Sequence, residues 1–233
     1  MASIYLIRHG QASFGQQDYD ALSDVGVTQS KTLGRALLNR GVRFDAVVSG
    51  TMQRHRQTLS ACLGVGALAD SAAAENNGWN EYDHEDILTG ANDRFSSSKE
   101  IHEHVATLEN PKKAFEQVFN EAVNRWMSGQ HDQDYSETWS AYQRRIGVAL
   151  QETVDWTQAG CKSVAVFTSG GVISVIAQSL LGVPSEKMMH MNWTLMNCAV
   201  TKLVSTRDRL FVASLNEHTH FESPESRHLM TYR

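Results

Sequence analysis

Arg8, His9 and Gly10 follow directly on the apolar run "SIYLI" (Ser3 to Ile7). Arginine presents a planar fork to the oxygens of an anion, histidine offers a neutral ring nitrogen near pH 7, and glycine lets a backbone close on a charged ligand. A second arginine, Arg54, lies in "SGTMQRHRQT", at the first turn of a helix expected to begin near Thr51. Backbone N–H groups at a helix start and a guanidinium together make an anion site. Arg56 competes for that role, but two residues further on it faces another side of the helix. A histidine packed at a strand end beside a solvated arginine would leave the same tripeptide, so the surroundings decide its meaning.

Ser169, in "VAVFTSGGVISVI", stands where a buried strand runs into an apolar helix. A serine at such a turn can act as a nucleophile, bind an anion or cap the helix. The nucleophile elbow needs glycine two residues before and two after the serine; Gly171 meets the second requirement and Phe167 fails the first. No histidine and acid announce themselves as base and orienter, so capping and anion binding are the expected roles.

These residues need a scaffold that brings them to one place. "SIYLI", "DAVVS" (Asp45 to Ser49) and "SVAVF" (Ser163 to Phe167) read as strands, and each leads into a helical pattern. Ser23 or Thr28 can cap a helix carrying Leu33, Ala36 and Leu37, with Gly41 as its stop; Val172, Ile173, Val175, Ile176 and Leu180 form an apolar helix ended by Gly182 and Pro184. Strands alternating with helices predict an α/β three-layer sandwich, a mostly parallel sheet with helices on both faces, extended by "CAVTKLV" and "RLFVASL". Open sheets of this kind bind ligands beyond the carboxyl ends of their strands, where Arg8, His9, Ser49 and Ser169 fall.

The middle of the chain has another character. Phe115, Val118, Phe119, Ala122 and Trp126 keep helical spacing after Pro111, and Trp139, Tyr142, Ile146, Ala149 and Thr153 do so again. The expectation is a single domain, 1–233, with a helical insertion at about 90–157 beside the site, its aromatic stripes serving packing. Residues 1–60 hold seven Arg/Lys against four Asp, whereas residues 81–137 hold thirteen acids against five bases, so an anion belongs to the amino-terminal part. The net charge of −5 and the lack of a basic stripe with interleaved aromatics argue against nucleic acid. No apolar run approaches a spanning helix or a signal peptide, so no membrane association and a cytoplasmic location are expected. Cys62, Cys161 and Cys198, odd in number and set among apolar neighbours, suit reduced core thiols.

In order and spacing, "LIRHG", "LSDVGVTQSKTLGRALLNRG" and "SGTMQRHRQT" resemble the histidine phosphatase superfamily, also called phosphoglycerate mutase-like. The likeness is close over residues 4 to 58 and returns at 163 to 184. It implies that His9 becomes phosphorylated, that Arg8 and Arg54 bind the phosphoryl group, and that the reaction uses no metal or other cofactor. In "NNGWNEYDHEDI", Glu81 matches the position of the proton donor in members with an acid in this loop. Asp83, His84, Glu85 and Asp86 mix metal-ligating types, but they are contiguous, and a solvated acidic loop is the expectation for them. The roles are physically coherent: an imidazole nitrogen attacks phosphorus in line, two guanidiniums neutralise the equatorial oxygens, and water later releases the phosphohistidine.

Two departures from the family pattern shape the functional reading. Its mutases usually carry a tryptophan and an asparagine shortly after the "RHG", where this chain has Phe14 and Gly15, which disfavours a phosphoglycerate mutase. At "VFTSGG" the family typically has a histidine before the glycine, donating to the phosphate; here Ser169 stands in its place. An uncharged, shorter donor costs on the order of a hundredfold in rate, about 3 kcal/mol, by analogy with the loss of an oxyanion donor. The N–H groups of Gly170 and Gly171 could recover part of that, and His218 or His220 could reach in as a replacement. The leading expectation is a phosphatase acting on a phosphorylated small molecule or phosphoprotein. The alternative is a catalytically silent relative that binds such a ligand. Substrate and oligomeric state are open.

Overall fold

The computed structural model describes residues 1–13, 20–66, 68–69, 73–92 and 94–232. Phe14 and Gly15 lie outside the described residues. Contacts divide the chain into two compact units, residues 1–81 with 146–233 and residues 82–145.

The first unit is organised by a six-stranded sheet with the order β3-β2-β4-β1-β5-β6. β1 (Ala2–Arg8) runs parallel to β4 (Ser163–Thr168), which is parallel to β2 (Ala46–Ser49), and β2 in turn is parallel to β3 (Ala74–Glu75). β5 (Val200–Ser205) and β6 (Leu210–Glu217), the two late apolar runs, add an antiparallel pair beside β1. β1 and β4 are covered on both sides: Ile4, Leu6 and Ile7, and Val164 to Phe167 without a break, are all 0% exposed. Such double burial is why these strands read as continuous apolar runs rather than as alternations.

Strand geometry sends successive side chains to opposite faces. Ile7, Val47, Ala165 and Phe167 pack in one core cluster with Leu33 and Leu37 of α1 (Asp24–Asn39) and Cys62 of α2 (Gln53–Leu63). Ile4, Leu6, Val164 and Val166 face the other way, toward the side taken by α7 (Gly170–Leu181), whose Val172, Ile173 and Ile176 are buried. Each large side chain so buried is worth about 1.5–3 kcal/mol, which makes the strand ends a rigid platform. Ser23 caps α1 by accepting from the Gly26 N–H at 3.1 Å. α2 begins at Gln53 with Met52 at its cap position, two residues later than expected, because Thr51 is held outside the helix by Asn80: its N–H donates to Oδ1, and its hydroxyl accepts from Nδ2, each at 2.7 Å. α7 is ended by Gly182, and α8 (Ser185–Thr194) follows Pro184. All three cysteines are free, with Cys62 and Cys198 buried and their thiols pushed up by that burial.

The second unit contains α3 (His84–Gly90), α4 (Ser98–Ala106), α5 (Pro111–Met127) and the first turns of α6 (Trp139–Gln158). Its core is aromatic: Trp126 packs edge-on to Trp139 at 5.0 Å and tilted on Tyr142 and Tyr82, each at 5.4 Å between ring centroids. The stripes read from the sequence are thus packing surfaces. The acidic stretch differs from its expected form as a solvated loop. Asp83 caps α3 by accepting from the Glu85 and Asp86 N–H groups, Glu85 accepts from Ser98, and Asp86 accepts from Ser136. Each carboxylate is spent on a backbone donor, and among the described residues no group of three acids, histidines or cysteines is placed to hold a metal.

Candidate active site

Arg8 and Thr168 are opposite one another in the β1–β4 register, so His9 and Ser169 leave adjacent strand ends side by side. The His9 N–H donates to the Thr168 carbonyl at 2.9 Å, and the Asn197 amide donates to the His9 carbonyl at 3.1 Å, which fixes the backbone at His9. The His9 ring is buried, and its Nδ1 lies 2.7 Å from the Gly10 carbonyl. A carbonyl can only accept, so Nδ1 carries the proton and Nε2 keeps its lone pair. Burial, then Arg54, Arg8 and His55, hold the His9 imidazole well below the usual histidine range. A neutral imidazole with a fixed tautomer is the state in which a ring nitrogen can attack phosphorus.

The guanidiniums are anchored by acceptors. Arg8 Nη1 donates to the Leu195 carbonyl and, at 3.1 Å, to that of Tyr232. A Cβ on Gly170 would come 2.7 Å from Asn192 Oδ1 and only into ordinary contact with Arg8 Nε at 3.4 Å, so it is the Asn192 amide that the glycine lets lie against the start of α7. Arg54, buried at the first turn of α2, donates from Nη1 to Asp20 Oδ1 at 2.5 Å, and Asp20 Oδ2 accepts from the Gln53 N–H at 2.6 Å. Asp20 thus occupies the anion site foreseen at this helix start, a carboxylate where a guanidinium and backbone N–H groups converge. Arg56 is exposed and forks onto Glu75, with bonds of 2.7 and 2.6 Å, away from Arg54 as the helical spacing implied.

Ser169 is fully buried and takes the N-cap position of α7, yet its side chain makes no capping bond, contrary to the expected capping role. Its hydroxyl instead lies 2.6 Å from Nε2 of His55. His55 is itself 0% exposed, and its ring centroid is 5.7 Å from that of His9. Burial, then Arg54, hold it well below the usual histidine range. His55 lies within "SGTMQRHRQT", where the arginines on either side carry the anion-binding signal and a histidine between them adds no pattern of its own. His218 and His220 have other partners: Nδ1 of His218 is 2.6 Å from the Asn216 carbonyl, and Nε2 of His220 is 3.1 Å from that of Cys198. The histidine joined to Ser169 comes from α2, not from the carboxyl-terminal region.

Glu81 lies at the same strand-end platform, its Oε2 accepting from the Gly171 N–H at 2.9 Å. The N–H expected to help hold an anion therefore faces the carboxylate expected to donate a proton. A carboxylate at a helix start is favoured by the same dipole that favours phosphate. His9, Arg8, Arg54, Ser169, Gly170 and Glu81 all belong to the first unit and cluster around the ends of β1 and β4.

Residues 4–87 and 84–218 match the description of the histidine phosphatase superfamily (branch 1). A 2,3-bisphosphoglycerate-dependent phosphoglycerate mutase of Methylocella silvestris is 34% identical over 96 residues, 38% of this chain and 46% of the relative. A broad-specificity phosphatase of Saccharomyces cerevisiae is 36% identical over 67 residues, 26% of this chain and 29% of the relative. The chain thus matches less than half the length of these curated relatives. In fold, the phosphoglycerate mutase of Bacillus anthracis superposes with a TM-score of 0.66 over 94% of each chain at 16% identity. With the family pattern spanning both the "RHG" strand and the sheet that carries Ser169, the chain belongs to branch 1 of the histidine phosphatase superfamily.

Proposed function

We propose that this chain is a phosphatase that hydrolyses phosphomonoesters through a phosphohistidine at His9. The observation that carries the reading is the His9 ring itself: buried, neutral, with Nδ1 tied to the Gly10 carbonyl and Nε2 left as the nucleophilic nitrogen beside two guanidiniums. Nε2 attacks phosphorus as the bond to the leaving oxygen breaks, and Glu81 delivers the proton that this oxygen needs. A water then attacks phosphorus as the phosphorus–nitrogen bond breaks and gives its proton to the Glu81 carboxylate left by the first step, which releases inorganic phosphate and returns neutral His9 and a protonated Glu81. Arg8 and Arg54 supply the positive charge that the equatorial oxygens require, so the chemistry asks for no metal. A phosphoryl group entering the start of α7 would take the Gly171 N–H from Glu81, which turns the carboxyl toward the leaving oxygen.

The substrate class is a phosphorylated small molecule or a phosphoprotein. A second reading, a silent member that binds such a ligand without turnover, draws on Arg54 and the Gly171 N–H, each already engaged by a carboxylate. Incubation with p-nitrophenyl phosphate separates them: the phosphatase reading expects turnover and an acid-labile, base-stable phosphate on the protein, both abolished by His9→Ala. Turnover that persists in His9→Ala would refute the mechanism, and ligand binding without any label would favour the silent member.

A further inference from the structure

Two buried groups, Ser169 and His55, form a hydrogen-bonded pair that the His9 mechanism does not itself use. Their 2.6 Å contact has two possible directions. If Ser169 donates into Nε2, then His55 must carry its proton on Nδ1, and the pair has the form of a nucleophile and its base. If Nε2–H donates to Ser169 Oγ, the serine proton is left to donate elsewhere.

The surroundings of Nδ1 decide between them. This atom is buried and, among the described residues, has no hydrogen-bond partner. Among the described residues, then, no carboxylate bonds it as an orienter. It packs against the backbone of Gly50, where even a Cβ would come within 2.2 Å. A buried N–H with nothing to receive it is rarer and costlier than a buried acceptor lone pair left bare. The favoured tautomer therefore puts the proton on Nε2, which makes His55 a donor to Ser169 and disqualifies it as a base.

We infer that His55 is a positioning residue that turns Ser169 into a phosphate donor: Nε2–H of His55 donates to Ser169 Oγ, and the serine O–H donates to a phosphoryl oxygen held beside His9. The inference rests on the phosphatase reading of the pocket. Ser169 leaves its strand next to His9, so its hydroxyl is at the right end of the sheet for this. An uncharged serine becomes a better donor when its oxygen accepts a hydrogen bond, because successive bonds in a chain polarise one another. A histidine on α2 and a serine on the β4–α7 turn would together fill the part played elsewhere in the family by one histidine on that turn.

The experiment measures inorganic phosphate binding to the full chain by calorimetry, for the wild type, Ser169→Ala, His55→Phe and the double variant, with thermal melts alongside. Each single change is expected to weaken binding about tenfold to a hundredfold, and the double change no further than the worse single one, because both remove one chain of bonds. His55→Gln, whose amide N–H can reach Oγ, is expected to recover most of the loss. Multiplying losses, a His55→Phe protein that binds phosphate normally, or a glutamine variant no better than phenylalanine would overturn the inference. Nitrogen-15 NMR of the wild-type imidazoles reads the tautomer without any variant: a His55 protonated on Nδ1, or an acid-stable phosphate on Ser169, overturns it as well. A wild type that neither binds phosphate nor labels His9 sinks the phosphatase reading, while the tautomer still reports on the His55–Ser169 pair.

Discussion

Gly50→Ala is the smallest change that should disable the pocket without touching any residue assigned to the chemistry. Gly50 follows β2 directly, its N–H donating to the Phe167 carbonyl at 3.0 Å, and the His55 ring rests on it. A methyl group there would lie 2.2 Å from His55 Nδ1 and 2.7 Å from Asn80 Oδ1, whereas ordinary contact begins at 3.4 Å. The ring must retreat by roughly 1.2 Å, and with fully buried neighbours it cannot do so freely. Because Ser169 meets the same ring through Nε2 at 2.6 Å, a displacement of that size takes the contact out of hydrogen-bond geometry. Overpacking costs about 1–3 kcal/mol and the lost bond about 0.5–1.5 kcal/mol, so destabilisation of about 1.5–4.5 kcal/mol is expected. For a chain of this length that lowers Tm by about 5–15 °C. Phosphate affinity, measured well below that temperature, should fall by the same factor as in Ser169→Ala. Adding His55→Ala to Gly50→Ala should restore part of the stability, since the clashing ring is gone, but none of the affinity. A Gly50→Ala protein with wild-type Tm and wild-type phosphate binding would refute the packing argument, and a double variant no more stable than Gly50→Ala alone would refute the steric cause.

Other outcomes follow from the same structure. Glu81→Gln should slow hydrolysis of alkyl phosphates, whose leaving oxygen needs a proton, by about a hundredfold or more, while p-nitrophenyl phosphate, with a stable leaving anion, loses little; equal losses on both would show that Glu81 binds rather than donates. The fold should weaken in acid. His9 and His55 are held well below the usual histidine range, and burial and Arg40 bring His220 down to about 4. Between roughly pH 6.5 and these lowered values the unfolded chain binds more protons than the folded one, so stability present above pH 6.5 is lost as pH falls. For His220 alone the loss comes to about 3 kcal/mol by pH 4, and a Tm that stays flat from pH 7 to pH 4.5 would contradict it. Trp126→Ala removes the ring at the centre of the aromatic core in 82–145, together with its 2.7 Å bond to the Glu137 carbonyl. A cost of about 3–5 kcal/mol is expected, seen as early loss of near-ultraviolet dichroism on heating.

The sheet was legible because its central strands are buried on both faces, which leaves unbroken apolar runs at Ser3 to Ile7 and Ser163 to Phe167 that periodicity can detect. β3 was not, since two exposed residues at a sheet edge carry no pattern. Neither was α3, whose first turn of acids looks like a solvated charge run until Asp83 is seen accepting from two backbone N–H groups. α4 did carry a readable signal, Ser97 followed three residues later by Glu100, and the structure has Ser97 accepting from the Glu100 N–H at 3.3 Å.

His55 shows where reading by helix face gives out. Arg54 and His55 are successive on α2, about 100° apart, so the rule that sets Arg56 on another side of the helix also sends His55 away from Arg54. Yet both are buried, because each side chain of this first turn meets its own partner from outside the helix. On one side Asp20 receives Arg54, and on the other Gly50 and Ser169 enclose the imidazole. Only the sequence neighbours of that turn hint at this, since a glycine at position 50 is what allows a ring to lie against β2. The serine that looked like a weakened substitute was judged alone, but the missing imidazole and the extra one are separated by 114 positions in the chain and by a single hydrogen bond in the fold. Whether Ser169 is a poor donor is therefore a property of the pair, and the double-variant test on His55 and Ser169 measures it as one.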